Sequence, residues 1–260
     1  MEPVYRPVAG LAYAVCWIMG WDIRVRGAEH VPRHGPAIVA ANHVGFLDFV
    51  FIGMGARRVR RWVRFMAFER AFRHWLGGPL LRGMRHIPVD RYGDARAALD
   101  LAIRALRSGE VVGLHPESRI NRTFVPTAGK SGAARMALET AAPLIPCAVW
   151  GSQRLWTRGR RELRRGVMVT VDFGPSIAYR PGEPPAEVTE RLMGEIRRLA
   201  GRAAERYPQR PRGPADRWWL PAHLGGTAPP ADSFVIGPPG PDRARDGRHS
   251  FEETDVTLGS

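Results

Sequence analysis

Apolar residues along the chain fall into two patterns, short unbroken runs and runs with helical spacing. Ala37 to Ala41 and Leu144 to Trp150 are unbroken apolar runs with the length of buried strands. Between them, the segment from Asp94 to Arg107 places Leu99 and Ile103 four residues apart, with apolar neighbours at helical spacing. This segment is predicted to be an amphipathic helix that packs one face on a core.

The same alternation continues on both sides of these segments. From Asp22 to Asp48 the pattern is of short strands broken by Gly and Pro. Further strands are predicted at 111–114 and 167–173, and further helices at 131–142 and 186–207. Helices that alternate with strands indicate an α/β domain, for which we set the bounds 22–207.

The N-terminal segment, residues 1–21, has a different character. Val8 to Trp21 carries no charged residue, but it is shorter than the about 20 apolar residues of a membrane-spanning helix. Tyr13, Trp17 and Trp21 recur at a spacing of four and so share one helical face. We therefore predict an amphipathic helix that associates with a membrane surface. One alternative is a helix packed on the core. A signal peptide is the other, but its cleavage site would be poor.

The C-terminal segment, residues 208–260, is rich in proline and glycine without a repeat. Such a composition is typical of a loosely ordered tail. The exception is the apolar group Trp218-Trp219-Leu220, for which docking on the domain and docking on a membrane both remain open.

The charge of the chain indicates a polyanionic partner. Its formal net charge is +14, its sequence pI is about 11.2, and arginine is concentrated at 57–64 and 158–165. Nucleic acid, an anionic membrane surface and a phosphate-bearing substrate all fit this charge. No zinc-finger, RNP or helix-turn-helix signature is present, so we expect no nucleic-acid partner. The two cysteines, Cys16 and Cys147, have neither metal-ligand nor disulfide spacing, and we expect no metal.

Candidate chemistry begins directly after the first apolar run. The segment Asn42-His43-Val44-Gly45-Phe46-Leu47-Asp48 sets an imidazole and a carboxylate five positions apart at a strand end. A histidine held by a nearby acid can act as a general base toward a hydroxyl group. The alternative is that Asp48 only caps the apolar segment that follows it.

Three further blocks follow the segment at 42–48 in order, namely RHIPVDR, HPESRINR and APLIPCAVWGSQ at 85–91, 115–122 and 142–153. Together the four blocks resemble the lysophospholipid acyltransferase superfamily, which includes the 1-acylglycerol-3-phosphate O-acyltransferases. The resemblance covers roughly residues 20 to 200. It implies a single α/β domain of the glycerolipid-acyltransferase type, with a mixed central sheet flanked by helices.

The resemblance also implies roles for individual residues. His43 matches the catalytic base of the family and Asp48 the acid that orients it, while Asn42 opens the same motif and is assigned to substrate binding. Arg91 ends the second block, whose arginine helps to hold the phosphate of the acceptor. Glu117 matches the acid of the third block, which contacts a glycerol hydroxyl or positions Arg91, or forms a structural ion pair.

The third block departs from the pattern of the family. Where Gly-Thr-Arg usually follows the glutamate, this chain has Ser118-Arg119-Ile120. Arg119 or Arg122 is expected to supply the missing cation, together with Lys130 in the next segment. The lysine often found before the second block is replaced by Phe68.

From this resemblance we expect an acyltransferase of phospholipid biosynthesis. It would move a fatty acyl group from acyl-CoA or acyl carrier protein, without a cofactor, to the hydroxyl of 1-acylglycerol-3-phosphate and form phosphatidic acid. Expected partners are membrane lipids, acyl-CoA and the lysophospholipid acceptor, at the cytoplasmic face of the plasma membrane, with peripheral or monotopic attachment. The alternatives are another acceptor, such as glycerol 3-phosphate or a glycolipid, and a non-enzymatic lipid-binding protein.

Overall fold

A seven-stranded mixed sheet forms the centre of the computed structural model, which describes residues 3–90 and 95–230. Its strands are β1 (Asp22–Arg26), β2 (Ala37–Ala41), β3 (Val63–Phe68), β4 (Ile87–Val89), β5 (Val111–Leu114), β6 (Leu144–Trp150) and β9 (Met168–Phe173). They lie in the order β1-β9-β6-β2-β5-β3-β4, and β6 and β9 pair antiparallel while the other neighbours pair parallel. A separate small hairpin pairs β7 (Trp156–Thr157) with β8 (Arg160–Arg161). The prediction of a mixed α/β sheet is confirmed.

Helices cover both faces of the sheet. They are α1 (Tyr5–Ile18), α2 (Asp48–Ala56), α3 (Glu69–Arg73), α4 (Gly77–Gly83), α5 (Ala95–Arg107), α6 (Gly132–Thr140) and α7 (Pro185–Glu205). Strand β2 is buried along its whole length, and its side chains alternate between two cores. Val39 packs in the core on the α2 side, whereas Ile38 packs in the core formed with α5, α6 and α7. A central strand with both faces covered explains the unbroken apolar run.

The arginine-rich segment 57–64 is part of this scaffold. Arg64 lies in β3, is only 3% exposed, and forms an ion pair with Glu110 at 3.0 Å. Arg61 donates hydrogen bonds to the carbonyl oxygens of Gly35 and Gly109, just before β2 and β5 begin. The contacts of these two arginines bind neighbouring segments of the protein to one another. Strand β3 was not predicted, because the charges hide its apolar alternation.

Helix α1 lies within the predicted N-terminal segment but ends at Ile18. Trp21 was predicted to share a helical face with Tyr13 and Trp17, but it lies beyond the helix and packs on Phe51. One face packs on the domain through the buried Tyr5 and Cys16. Leu11 and Trp17 lie on the outer face, and Trp17 is 82% exposed. In the described part of the chain, no helix combines the length and hydrophobicity that a bilayer crossing needs. Association of α1 with a membrane surface stays a prediction.

The segment that follows α7 packs against the domain. Trp219 is 1% exposed and Leu220 is 9% exposed, and both lie in a cluster with Trp150 and Tyr207. Of the two alternatives for Trp218-Trp219-Leu220, docking on the domain is the one that the structure shows. The described part of the C-terminal segment, residues 208–230, therefore differs from the expected loose tail, because its aromatic residues complete an apolar core. The rest of that segment, 231–260, lies outside the described residues.

Candidate active site

The candidate residues converge at one edge of the sheet. Strands β2, β5 and β6 run parallel, so their carboxyl ends meet at this edge. His43 lies just beyond β2, His115 just beyond β5, and Ser152 just beyond β6. The crevice outside the carboxyl ends of parallel strands is the usual place for a binding site in α/β proteins.

His43 and Asp48 form a hydrogen-bonded pair. The distance from His43 Nδ1 to Asp48 Oδ2 is 2.9 Å, and Asp48 is fully buried as the first residue of α2. The same carboxylate oxygen accepts hydrogen bonds from the backbone N–H groups of Val44 and Gly45, at 2.8 and 2.9 Å. These hydrogen bonds come from the turn before α2, and no side chain of a described residue caps α2. The alternative that Asp48 only caps the following segment is therefore wrong.

Asp48 remains a carboxylate in this environment. Its Oδ1 accepts a short hydrogen bond from the hydroxyl of Ser152. Burial alone would raise the pKa of Asp48, but the hydrogen bond and charge of His43, with contributions from His115 and Ser152, lower it. An ionised carboxylate only accepts hydrogen bonds, so the proton of His43 lies on Nδ1. Its Nε2 is then the atom that can take a proton from a hydroxyl group.

A second imidazole, that of His115, stacks on His43. The two ring centroids are 4.1 Å apart and the ring planes differ by 10°. Nδ1 of His115 donates to the carbonyl oxygens of Asn42 and Ala41, at 2.8 and 3.1 Å. Removal from water, then the charge of His43, lowers the pKa of His115 to about 4, so this ring is neutral at pH 7.

The backbone around His43 is held by two polar residues from the candidate set. Asn42 is 1% exposed, and its amide makes two hydrogen bonds to the backbone of Val149, at 3.0 and 2.7 Å. Glu117 accepts from the backbone N–H of His43 at 3.1 Å and from the Asn121 amide at 2.6 Å. Burial raises the pKa of Glu117. Both residues therefore fix the turn that carries the imidazole, and their substrate contacts stay predictions.

The predicted cations are found on the loop after β5. Arg119 and Lys130 are exposed, and their side chains form no hydrogen bond or ion pair with a described residue. Arg122 is also exposed. The backbone N–H of Asn121 donates to the carbonyl oxygen of His43 at 2.7 Å, which ties this loop to the imidazole turn. Arg91 lies outside the described residues.

The departure at residue 118 has a conformational counterpart. Ser118 has a φ of 57°, in the left-handed region that favours glycine. The serine that departs from the expected Gly-Thr-Arg pattern thus has a backbone conformation that glycine favours. Ser118 accordingly preserves the turn between Glu117 and the cations that follow it.

An apolar groove opens beside the acid of the pair. Its volume is about 270 Å³, and it lies between α1 and the start of α2. Its lining residues are Ala12, Val15, Cys16, Met19, Trp21, Leu47, Val50, Phe51, Trp156, Arg161 and Leu163. Leu47 directly precedes Asp48, and Phe46 packs on Trp156 with ring centroids 5.0 Å apart. The groove therefore lies beside the turn that carries His43 and Asp48.

His43, Asp48 and His115 also offer metal-ligand atoms within 4.8 Å of one another. The donor set fits a proton-transfer pair better than a metal ion. Both oxygens of Asp48 already accept hydrogen bonds, and both Nδ1 atoms are used by the carboxylate and by backbone carbonyls. A metal ion bound by Asp48 would have to compete with these hydrogen bonds.

Comparison with known proteins gives one consistent family. Residues 22–150 match the sequence model of the family described as Acyltransferase. The chain is 29% identical over 182 residues to the 1-acyl-sn-glycerol-3-phosphate acyltransferase of Bacillus subtilis (strain 168). This alignment covers 68% of this chain and 87% of that protein. It is 27% identical over 214 residues to the 1-acyl-sn-glycerol-3-phosphate acyltransferase alpha of Bos taurus, with 76% and 71% covered.

The fold is also similar to that of a solved structure. The crystal structure of the 1-acyl-sn-glycerophosphate (LPA) acyltransferase PlsC from Thermotoga maritima superposes with a TM-score of 0.61 and a sequence identity of 20%. The similarity covers 76% of this chain and 78% of that chain. At this identity the likeness concerns the fold.

Proposed function

Because this chain belongs to the acyltransferase family, we propose that it transfers a fatty acyl group to the free hydroxyl of 1-acylglycerol-3-phosphate and forms phosphatidic acid. The acyl donor is a thioester, acyl-CoA or acyl carrier protein, and no cofactor takes part. The observation that carries the proposal is the 2.9 Å hydrogen bond between His43 and the fully buried Asp48 at the carboxyl ends of the parallel strands.

The reaction needs a base and no covalent enzyme intermediate. Nε2 of His43 takes the proton of the acceptor hydroxyl while that oxygen attacks the thioester carbonyl carbon. Asp48 stabilises the imidazolium that forms. When the tetrahedral intermediate collapses, the carbon–sulfur bond breaks and the thiolate takes the proton back from His43. The stacked ring of His115 is neutral, so it does not oppose the positive charge on His43.

The two cysteines do not offer a competing nucleophile. Burial raises the pKa of the Cys16 thiol, and burial together with the nearby carboxylates of Asp172 and Asp48 raises that of Cys147 well above its usual range. Only the thiolate of a cysteine is a good nucleophile. Direct transfer from the thioester to the hydroxyl is accordingly the route that we propose.

The apolar groove and the cations bind different parts of the substrates. The groove between α1 and α2 receives an acyl chain, because its lining is almost entirely apolar. Arg119, Arg122 and Lys130 bind the acceptor phosphate, with Arg91 as a further candidate. The loop that carries the first three is bonded to the backbone of His43, which keeps phosphate and base at a fixed separation.

The lipid substrates place the enzyme at a membrane surface. Helix α1 borders the acyl groove and exposes Leu11, Trp17 and Ile18. Apolar and aromatic side chains on a helix beside basic charge suit the headgroup boundary. We propose peripheral or monotopic attachment at the cytoplasmic face of the plasma membrane, with membrane lipids as partners.

One observation keeps a second acceptor open. In the third block, HPESRINR at 115–122, Ile120 occupies the position of the arginine in the expected Gly-Thr-Arg pattern. A missing cation weakens the selection of one phosphate-bearing acceptor over another. Glycerol 3-phosphate and a glycolipid are therefore the acceptors to compare with 1-acylglycerol-3-phosphate.

The test is thiol release from an acyl-CoA by purified protein in vesicles, with each acceptor added in turn. The proposal predicts release that depends on 1-acylglycerol-3-phosphate, and phosphatidic acid as the product by mass spectrometry. Arg119→Gln should raise the KM for this acceptor more than it lowers kcat, and Arg104→Gln, on the outer face of α5, is the matched control. Release with glycerol 3-phosphate alone would replace the proposed acceptor.

A further inference from the structure

A pocket lined by arginines lies outside the candidate active site. Its volume is about 250 Å³, and it is formed by the segment after β6, the segment before β9 and the segment after α7. Its arginines are Arg154, Arg164, Arg165, Arg210 and Arg212. None of them belongs to the loop with Arg119, Arg122 and Lys130. The pocket is therefore a second, separate concentration of positive charge.

Arg154 forms the buried part of this pocket. It is 4% exposed, and its Nη1 donates to the hydroxyl of Tyr207 and to the side-chain oxygen of Gln209. Its Nε is buried without a hydrogen-bond partner among the described residues, and its guanidinium lies over the ring of Trp219, 4.5 Å from the centroid. These contacts hold the positive charge of Arg154 at a fixed place in the wall of the pocket.

Three of the other four arginines form no ion pair with a described residue. Arg164 is paired with Glu162 and Asp216. By contrast, Arg165, Arg210 and Arg212 are exposed, and their side chains form no ion pair with a described residue. Together with Arg154 they surround a space that suits a compact anion. Guanidinium groups match the oxygen atoms of phosphate with paired hydrogen bonds.

The pocket wall is bonded directly to the end of helix α1. The indole N–H of Trp21 donates to the carbonyl oxygen of Arg164 at 2.8 Å. The backbone N–H of Gly166 donates to the carbonyl oxygen of Met19 at 2.9 Å. The helix that exposes Trp17 and the arginine pocket are therefore fixed relative to each other. A membrane that contacted α1 would bring its headgroups to the pocket.

We propose that this arginine pocket is a phosphate-binding site, and that its ligand is the phosphate of an anionic phospholipid headgroup. Free phosphate offers the same oxygen acceptors, but the exposed apolar face of α1 beside the pocket favours a lipid headgroup over a free ion. The site holds the enzyme on anionic membranes and does not take part in acyl transfer. Its test therefore stands apart from that of the proposed function.

The experiment compares two triple variants of the full-length chain. R165Q/R210Q/R212Q changes exposed pocket arginines, and the matched control R33Q/R104Q/R135Q removes three exposed arginines elsewhere. Calorimetry measures binding of water-soluble dibutyryl phosphatidylglycerol and of inorganic phosphate to each. We expect the pocket variant to bind the lipid about tenfold more weakly or worse, and the control to match the parent.

Vesicle flotation measures binding of each variant to membranes of phosphatidylcholine alone or mixed with phosphatidylglycerol. The pocket variant should lose the binding that depends on phosphatidylglycerol, and the control variant should keep it. Tighter binding of the soluble lipid than of inorganic phosphate supports the headgroup as ligand, whereas equal binding would replace it by free phosphate. Equal losses in both triple variants would overturn the proposal, because they would reflect net charge only. Phosphate held by Arg119 and Lys130 is common to both variants and cancels in the comparison.

Discussion

The imidazole rings of His43 and His115 lie nearly parallel, with centroids 4.1 Å apart. They come from the ends of two adjacent parallel strands, β2 and β5. His115 is oriented by the carbonyl oxygen of Asn42, the residue before His43. Each ring therefore restricts the other, and the neutral state of His115 is part of that arrangement.

The His115→Asn substitution should change how stability depends on pH. The unfolded chain protonates this histidine near pH 6.5, but the folded protein only near pH 4. The unfolded state therefore binds more protons between these values, and the free energy of unfolding falls as the pH drops through this window. At pH 5 the loss from one such histidine is about 2 kcal/mol. Asn keeps a donor for the carbonyl of Asn42 but does not titrate.

Urea unfolding at pH 7 and pH 5 measures this effect. The change between the two pH values should be smaller in His115→Asn than in the parent by about 2 kcal/mol. Other groups, such as His86 with its pKa of about 4, contribute equally to both proteins. Identical pH dependence of the two proteins would show that folding does not lower the pKa of His115.

Asp48→Asn tests the ionised state of the acid. The amide has nearly the same shape as the carboxylate, but it carries no charge to stabilise an imidazolium and can favour the wrong tautomer of His43. We expect kcat to fall on the order of 10²–10⁴-fold. Circular dichroism checks the fold of the variant. Activity within about threefold of the parent would remove Asp48 from the mechanism.

Ser152→Ala removes the hydroxyl that donates to Asp48 Oδ1. The pKa of Asp48 should rise, and its hold on His43 should weaken, because a charged acceptor loses a buried donor. We expect kcat to fall about tenfold and the free energy of unfolding to fall by about 1–3 kcal/mol. Ser108→Ala, whose hydroxyl lies at the exposed end of α5, is the control. Equal effects of the two substitutions would contradict the assignment.

Ala12→Phe tests the acyl groove. Ala12 lines the groove from α1, whereas Ala14 on the same helix is exposed and does not. The added ring fills space that a long acyl chain would occupy, so the preference should shift toward shorter acyl-CoA donors. Ala14→Phe should leave the chain-length profile as it is. The same profile for both variants would mean that the chain binds elsewhere.

The sequence is informative about features that depend on local pattern. His43 and Asp48 are five residues apart in one turn, so their pairing could be predicted without knowledge of distant contacts. Most elements with a clear period were predicted within a few residues of their observed bounds. The predicted helix at 94–107, for example, is observed at Ala95–Arg107. In these segments burial and periodicity report the same structure.

Features that depend on distant contacts were missed. Ser152 meets Asp48 across 104 positions of the chain, and a serine after an apolar strand carries no signal of its own. His115 was visible beside Glu117, but only the fold shows that it stacks on His43. Arg64 sits in a dense cluster of charges, yet Glu110 neutralises it inside the protein. The sequence pattern shows which side chain stands at a position, but it does not show which distant residue that side chain contacts.

The most direct test of the whole account is the turnover of His43→Ala with acyl-CoA and 1-acylglycerol-3-phosphate. His34→Ala is the matched control, since His34 is exposed and lies before β2. We predict that His43→Ala folds like the parent and loses about 10²–10⁴-fold in kcat, while His34→Ala keeps full activity. Turnover of His43→Ala equal to that of the parent would show that the acceptor hydroxyl loses its proton to another group, and would contradict the mechanism.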